Sequence, residues 1–500
     1  MARGGLELRV AKLTALLEIG KAMTAERDLD RLLPLIMGEV TQVMEADRST
    51  LFLVDRDRHE LWSKVAQGLE VREIRLKIGT GIAGHVAATG QTVHIPDAYA
   101  DPRFDASTDL QTGYHTRSIL AVPMVNKPGE VIGVIQVLNR HDGSFTEEDI
   151  ELLHALSSQA AVAVENAILY EDIRNLFEGF IKASAYAIES RDPTTFGHSE
   201  RVTILTCALA EHVDRAHVGP YAEVHFSPAD MRELRYASLL HDFGKVGVRE
   251  HVLVKANKLY EAELEVIRAR FQYLKKQAEA EALQRKVALL TARRAQDARA
   301  DLEAVDEWLR REAARLESDL AFIQEANRPT TLPPGGFERV LEIAARTYVD
   351  PDGKAQPMLS SRDAENLSIG RGSLNAEERL EIESHVTHSF HFLRQIPWTR
   401  DLRRIPAIAY AHHEKLNGGG YPNRLTGETI PVQAKMMTVA DIYDAVTAAD
   451  RPYKRALPAE KALDILQHEA KGNAIDPELV RIFVESKTYT LTLPPDAPRP

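Results

Sequence analysis

The sequence predicts a multi-domain protein: an α+β domain, then an all-α domain carrying an antiparallel coiled-coil insertion. Three observations predict it. The 500 residues, 44% of them hydrophobic, exceed what one core normally holds and suggest two or three domains. Short β-rich runs lie between residues 49 and 139, whereas nearly everything after residue 182 reads as helix. Between residues 262 and 326 the composition turns to Ala, Glu, Arg, Lys and Leu without Gly or Pro, as in coiled coils.

Taken in order, residues 11–45 place Leu13, Leu16, Leu17, Ile19, Leu32, Leu33, Leu35 and Ile36 at helical spacing and predict two amphipathic helices. The runs STLFLVD, ELWSKVA and IRLKI predict strands, and SILAVPMV, the turn NKPGE and VIGVIQVLN predict a hairpin. From Glu148 the stripe Ile150, Leu153, Leu156, Ala160, Val164, Ala167, Ile168, Ile173, Phe177 and Ile181 predicts a connecting helix over 150–182. Two readings of that helix stand: a parallel homodimer seam, or a terminal helix packed on its own domain. Leu264, Ile267, Phe271 and Leu274, then Leu302, Val305, Leu309, Leu316, Leu320 and Ile323, recur at spacings of three and four and predict a helical hairpin. The hairpin is read as an insertion over 262–374, a candidate surface for a protein partner. RPTTLPPGGF is expected to close its far end, and DPDGKAQP to form an exposed turn before LNAEERLEIESH resumes a helix.

The net charge of −12 is spread along the chain, and no basic stripe with interleaved aromatics appears, so polymeric nucleic acid is not the expected partner. A small anionic nucleotide remains open, because a local metal cluster outweighs a distant net charge. No apolar run approaches the roughly 20 residues that cross a bilayer, and MARGGLELRV lacks the apolar stretch of a signal peptide. The expectation is a cytoplasmic protein with no membrane partner. The single cysteine, Cys207, excludes cysteine-based zinc clusters, so a metal site must use His and carboxylates.

The strongest chemical signal lies in the second half: His198 in GHS; His241, Asp242 and Lys245 in HDFGK; His385; His412 and His413 in HHE; and Asp441 in VADIYDA. Carboxylate next to imidazole supplies mixed N/O ligation suited to iron, manganese and similar divalent ions, with Asp242 able to bridge two of them. Two ions about 3.5–4 Å apart would hold a hydroxide and clamp a phosphate for in-line attack. One HD pair among 18 histidines would mean little; the ordered set means more.

HHEKLNGGGYP and HDFGKVGV, with DPTTFGHSERV, TGETIP and TAADRPYKRAL, resemble the HD-GYP subgroup of HD-domain hydrolases over residues 182–485. The resemblance implies an all-helical phosphodiesterase domain that opens cyclic di-GMP to linear pGpG, and on to GMP in some members, with two divalent ions, iron or manganese. It places the metal ligands on His198, His241, Asp242, His385, His412, His413 and Asp441. It gives Lys245 a phosphate contact, against the plainer reading of a surface cation. Gly420, Tyr421 and Pro422 become a turn beside the substrate. Arg451 is a phosphate contact or, equally, a capping or salt-bridge residue. Three departures stand out: Asn417 replaces an Asp, Val386 and His388 replace a Pro and a Gly, and Thr194 replaces the Glu of three-metal members, favouring two ions. Two other readings fit the motifs: a non-catalytic cyclic-dinucleotide-binding protein, and a hydrolase of another cyclic dinucleotide such as cyclic GMP-AMP.

GTGIAGHVAATGQTVHIPDAYADPRF, TGYHTRSILAVPM, EVIGVIQVLNR and FTEED resemble GAF domains of the cyclic-nucleotide-binding type over residues 12–165. Asn139, Arg140, Phe145 and Asp149 meet the family signature, whose final Glu is here Ile150. The resemblance places a cAMP or cGMP site on Ile82, Ala83, Asp109, Thr112 and Thr116. The plainer reading makes the Asp and Thr residues loop and capping groups, in a domain used for dimerisation or another small ligand.

Overall fold

The computed structural model describes residues 17–63, 73–191, 197–292, 299–448 and 456–493. It divides into two units, Met1–Gly179 and Phe180–Pro500. In the first, helix α1 (Leu29–Val43) starts at Asp28, whose carboxylate accepts from the Asp30 backbone N–H. Strands β1 (Ala46–Asp55), β2 (Glu60–Ser63), β3 (Ile74–Lys77), β4 (Val93–Ile95), β5 (Ile119–Val125) and β6 (Val131–Arg140) form one sheet in the order β3-β2-β1-β6-β5-β4, every neighbour antiparallel. Helices α2 (Gly81–Thr89) and α3 (Ser107–Thr112) lie in the β3–β4 and β4–β5 connections.

The period-two alternation of side chains builds two cores from this one sheet. Leu51 and Leu53, Leu120, Val122 and Met124, and Ile135 and Val137 face one way, against α1 and α4 (Glu147–Glu189). Phe52, Ile119, Ala121 and Val134 face the other, against Ile82, Ala83 and Val86 of α2. The predicted hairpin is β5–β6, paired from Ile119↔Leu138 to Val125↔Val131 with a register shift at Met124/Val125. The Arg140 guanidinium pairs with Asp149 at 3.0 Å, fastening the sheet's last strand to the first turn of α4.

Helix α4 has 43 residues and contains the predicted connecting helix. Leu153, Leu156, Ala160, Val164 and Ala167 are buried in the first unit's core, as the second reading of that segment required. Beyond them Leu169, Ile173, Leu176 and Phe180 are more than half exposed, so their heptad stripe is not absorbed by that core. By length and composition α4 is also the one described helix that could cross a bilayer; packing on the sheet accounts for much of its apolar character.

The second unit is helical: α5 (His198–Asp214), α6 (Pro228–Leu240), a 3₁₀ turn (Phe243–Gly247), α7 (Glu250–Leu253), α8 (Glu261–Ala292), α9 (Arg299–Ala326), α10 (Gly336–Ala344), α11 (Ser361–Leu367), α12 (Ala376–Leu393), α13 (Ile405–Tyr410), α14 (Val432–Thr447), α15 (Ala459–Lys471) and α16 (Pro477–Glu485). Capping boxes, Ser227 with Asp230 and Asn375 with Glu378, start α6 and α12, satisfying amide groups that a helix end leaves open. Helices α8 and α9 run antiparallel: Lys275 meets Glu317 and Lys286 meets Asp306. Leu264, Ile267 and Phe271 bury against Leu316 and Ile323. Their base is clipped where the Lys258 amide donates to the Asn327 carbonyl at 2.9 Å. RPTTLPPGGF therefore follows that base and does not close the far end, and DPDGKAQP turns between two short strands, β7 (Thr347–Val349) and β8 (Ala355–Pro357).

Candidate metal centre

The ligand candidates come from five separate stretches of chain. His198 opens α5, where Glu189 accepts from the Gly197 and Ser199 amides at 2.8 and 2.9 Å and fixes the helix start. His241 and Asp242 end α6. They lie against α12 because Gly244 has no side chain: a Cβ there would stand 1.9 Å from the His385 carbonyl oxygen and 2.3 Å from the Ser389 nitrogen. Ser389 then joins the two segments, donating to the His241 carbonyl at 2.8 Å and accepting from the Gly244 amide at 2.7 Å. His412 and His413 follow α13, where Thr438 donates to the His412 carbonyl at 2.6 Å and ties them to α14, the helix of Asp441.

All seven meet. Asp242 Oδ1 is 3.2 Å from His385 Nε2, and its Oδ2 is 3.5 Å from His241 Nε2 and 3.6 Å from His198 Nε2. Asp441 lies 3.2 Å from His198 Nε2 and 3.8 Å from His413 Nδ1. Two groups have atoms within one ion's reach, His198–His241–Asp242 and His385–His412–His413. Lys245 Nζ sits 2.9 Å from Asp242 Oδ2, directed into the cluster.

The tautomers follow from the acceptors. His241, His385 and His412 each direct Nδ1 at the carbonyl three residues earlier, at 2.7, 2.6 and 2.6 Å. A carbonyl only accepts, so Nδ1 carries the proton and Nε2 keeps its lone pair. Those three Nε2 atoms are buried and hydrogen-bond to nothing, a rare condition for a polar atom and the usual one for a metal-ligating imidazole. Burial keeps His241 and His412 below the ordinary imidazole range and His413 down to about 3, so they stay neutral at pH 7. Burial would push the Asp242 carboxyl up, but Lys245 and the nearby imidazoles hold it well below its ordinary value. Asp441 is held down against burial by the bond with His198. His198 goes the other way: burial would lower it, but Asp441 and Asp444 raise it to about 9, so its imidazole holds a positive charge between the two carboxylates. Ionised carboxylates gathered with the neutral His241, His412 and His413 fit a divalent cation, which would take the place of that proton.

Around the ligand candidates lie residues that sequence reasoning missed. Asp444 accepts from His198 Nδ1 at 2.7 Å, and Arg201 grips the same carboxylate at 2.6 and 3.1 Å. The available signal was spacing: Asp444 is three residues after Asp441, and Arg201 three after His198, the same helix faces. Buried Glu414 accepts from the Asn423 and Leu425 amides at 2.7 and 2.8 Å, shaping the Gly420 turn. A Cβ on Gly420 would come within 2.5 Å of the His413 carbonyl. The Tyr421 ring lies 4.8 Å from that of His413, and Pro422 follows it. Burial raises the Tyr421 phenol above its ordinary value, so it remains a donor at neutral pH. His388 packs over Gly247, away from the cluster. Arg451 and Thr194 lie outside the described residues.

In the first unit, Asp109 and Thr116 are buried and bound to each other. Asp109 accepts from the Thr116 amide and hydroxyl at 2.7 and 2.9 Å, and from the Tyr99 hydroxyl at 3.0 Å. Ile82 and Ala83 are buried in the first turn of α2. Thr112 ends α3; its side chain is outside the described residues.

A GAF-domain model matches residues 28–164, and two HD-domain models match residues 195–326 and 362–479. The chain is 37% identical over 158 residues to the probable 3′,5′-cyclic phosphodiesterase pde-5 of Caenorhabditis elegans, a match covering 29% of this chain and 22% of that protein. It thus spans about a fifth of that relative's length. Among solved structures it is similar to the GAF domain of a phosphoenolpyruvate-protein phosphotransferase (ptsP) from Coxiella burnetii, at 24% identity over 32% of this chain and 96% of that one, TM-score 0.30. It is similar also to free methionine-R-sulfoxide reductase from Neisseria meningitidis, at 25% identity over 32% and 91%, TM-score 0.28. The chain thus carries an N-terminal GAF domain followed by a mostly helical HD region.

Proposed function

We propose that the HD region is a two-metal phosphodiesterase that hydrolyses cyclic di-GMP to pGpG, under the control of the GAF domain. The observation that carries the reading is the convergence of five imidazoles and two carboxylates, three of the imidazoles with buried Nε2 lone pairs that hydrogen-bond to nothing. The HD-GYP motifs at HDFGKVGV and HHEKLNGGGYP supply the substrate class. Bound iron or manganese supplies Lewis-acid neutralisation of a phosphodiester and lowers the pKa of the attacking water. His198, His241, Asp242, His385, His412, His413 and Asp441 hold the ions. Lys245 places a cation where charge grows on the phosphoryl oxygens. Tyr421 donates a hydrogen bond to the substrate or its loop, and Gly420 and Pro422 shape the turn that presents it. Arg451 adds a phosphate contact. At the GAF domain, cAMP or cGMP lies near Ile82, Ala83, Asp109, Thr112 and Thr116; the 3′,5′-cyclic phosphodiesterase named above is in keeping with a cyclic nucleotide as signal. A ligand there changes the rate only by binding two states of the protein unequally.

The test is turnover of cyclic di-GMP by the full chain loaded anaerobically with ferrous iron, or with manganese, with and without cAMP and cGMP. Conversion to pGpG is expected, and none in His241→Ala/Asp242→Ala. Full turnover by that double variant would sink the metal assignment. Tight binding without product would make the protein a receptor, and preferential cleavage of cyclic GMP-AMP would reassign the substrate.

A further inference from the structure

Four imidazoles in the centre are oriented through Nδ1, but not by the same kind of acceptor. His241, His385 and His412 donate to neutral backbone carbonyls. His198 alone donates to a carboxylate, Asp444, 1% exposed in the last turn of α14. That carboxylate is itself fixed by two bonds from Arg201, one turn along α5 from His198. A carboxylate behind an imidazole makes the ring a stronger donor to a metal than a carbonyl does, and fixes its plane. Asp441 and Asp242 both approach His198 Nε2, whereas the His385–His412–His413 group is built of imidazoles only.

We infer that Asp444 is a positioning residue for His198, and that it makes the His198–His241–Asp242 side the tighter of two unequal metal positions. This rests on reading the cluster as a metal centre, not on the choice of substrate. Arg201 keeps Asp444 in place, so its loss acts in the same direction and more weakly.

The experiment titrates Mn(II) alone into the metal-free full chain, by equilibrium dialysis with elemental analysis and by electron paramagnetic resonance. Wild type is expected to bind two ions with a spin-coupled signal. Asp444→Asn is expected to bind the tighter ion about 10–100-fold more weakly and to show an uncoupled signal. His385→Ala loses the weaker ion instead. Circular dichroism checks each fold. Should Asp444→Asn misfold, Arg201→Gln, which leaves the carboxylate in place, decides: several-fold weaker binding of the tighter ion supports the inference, and wild-type binding overturns it. A folded Asp444→Asn with two ions at wild-type affinity and a coupled signal overturns it as well. Wild type that takes up no Mn(II) overturns the metal centre itself. Selective loss of one ion in a protein inert to cyclic di-GMP upholds Asp444 while the substrate reading falls.

Discussion

Gly244 shows how much a missing side chain decides. With the His385 carbonyl oxygen 1.9 Å from its would-be Cβ, Gly244→Ala must part α12 from the His241–Asp242 corner. Overpacking of this kind costs about 1–3 kcal/mol, so a lower melting temperature is expected together with lost metal, read by calorimetry and elemental analysis. Cys207 is half-buried, and burial pushes its thiol up to about 11; a disulfide reagent at pH 8 is expected to react only after denaturant is added. Glu381, bonded by Arg249, has its carboxyl lowered to about 2. A carboxyl depressed on folding stabilises above its unfolded value, about 4.3, and that contribution fades as pH falls toward 2. Glu381→Gln should therefore lower stability at pH 7, by no more than about 1 kcal/mol for so exposed a partner, and leave it unchanged at pH 2 in acid titration melts. The ligand candidates stood out in sequence because few side chain types bind metals and these stand in tight motifs. Ser389 and Thr438 did not, because hydroxyls occupy many helix positions and only packing shows which of them reaches the cluster; Asp444 had only its spacing from Asp441 to mark it.

At the scale of elements, periodicity revealed what long segments do and little of what short ones do. The β5–β6 hairpin and α8 with α9 were legible because their patterns repeat. Strand β4, three residues long, and the pair β7–β8 fell below any period, and their strand character comes from hydrogen bonds to neighbours. RPTTLPPGGF was misplaced because a Pro/Gly run ends a helix equally well at either end of a hairpin. The hairpin's stability is expected to reside at its base. Phe271, fully buried, should cost about 3–5 kcal/mol on replacement by Ala. Lys286→Ala, which breaks a solvent-facing pair with Asp306, should cost less than about 1 kcal/mol. Denaturant melts of the two variants measure the difference.

For the whole molecule, the unabsorbed stripe Leu169, Ile173, Leu176 and Phe180 keeps the three-and-four spacing of a two-stranded seam. A homodimer is the expected state, and Ile173→Glu with Leu176→Glu should convert it to monomer, read by light scattering across a dilution series. The buried pair of Lys255 and Glu378, 2.7 Å apart, and the Tyr260 hydroxyl on the same carboxylate bind the start of α8 to the first turn of α12. With 32 residues at 1.5 Å each, α8 is a rod of about 48 Å, tied at its base to the helix that bears His385. A force applied along such a rod would be felt at Glu378, two turns from a candidate metal ligand.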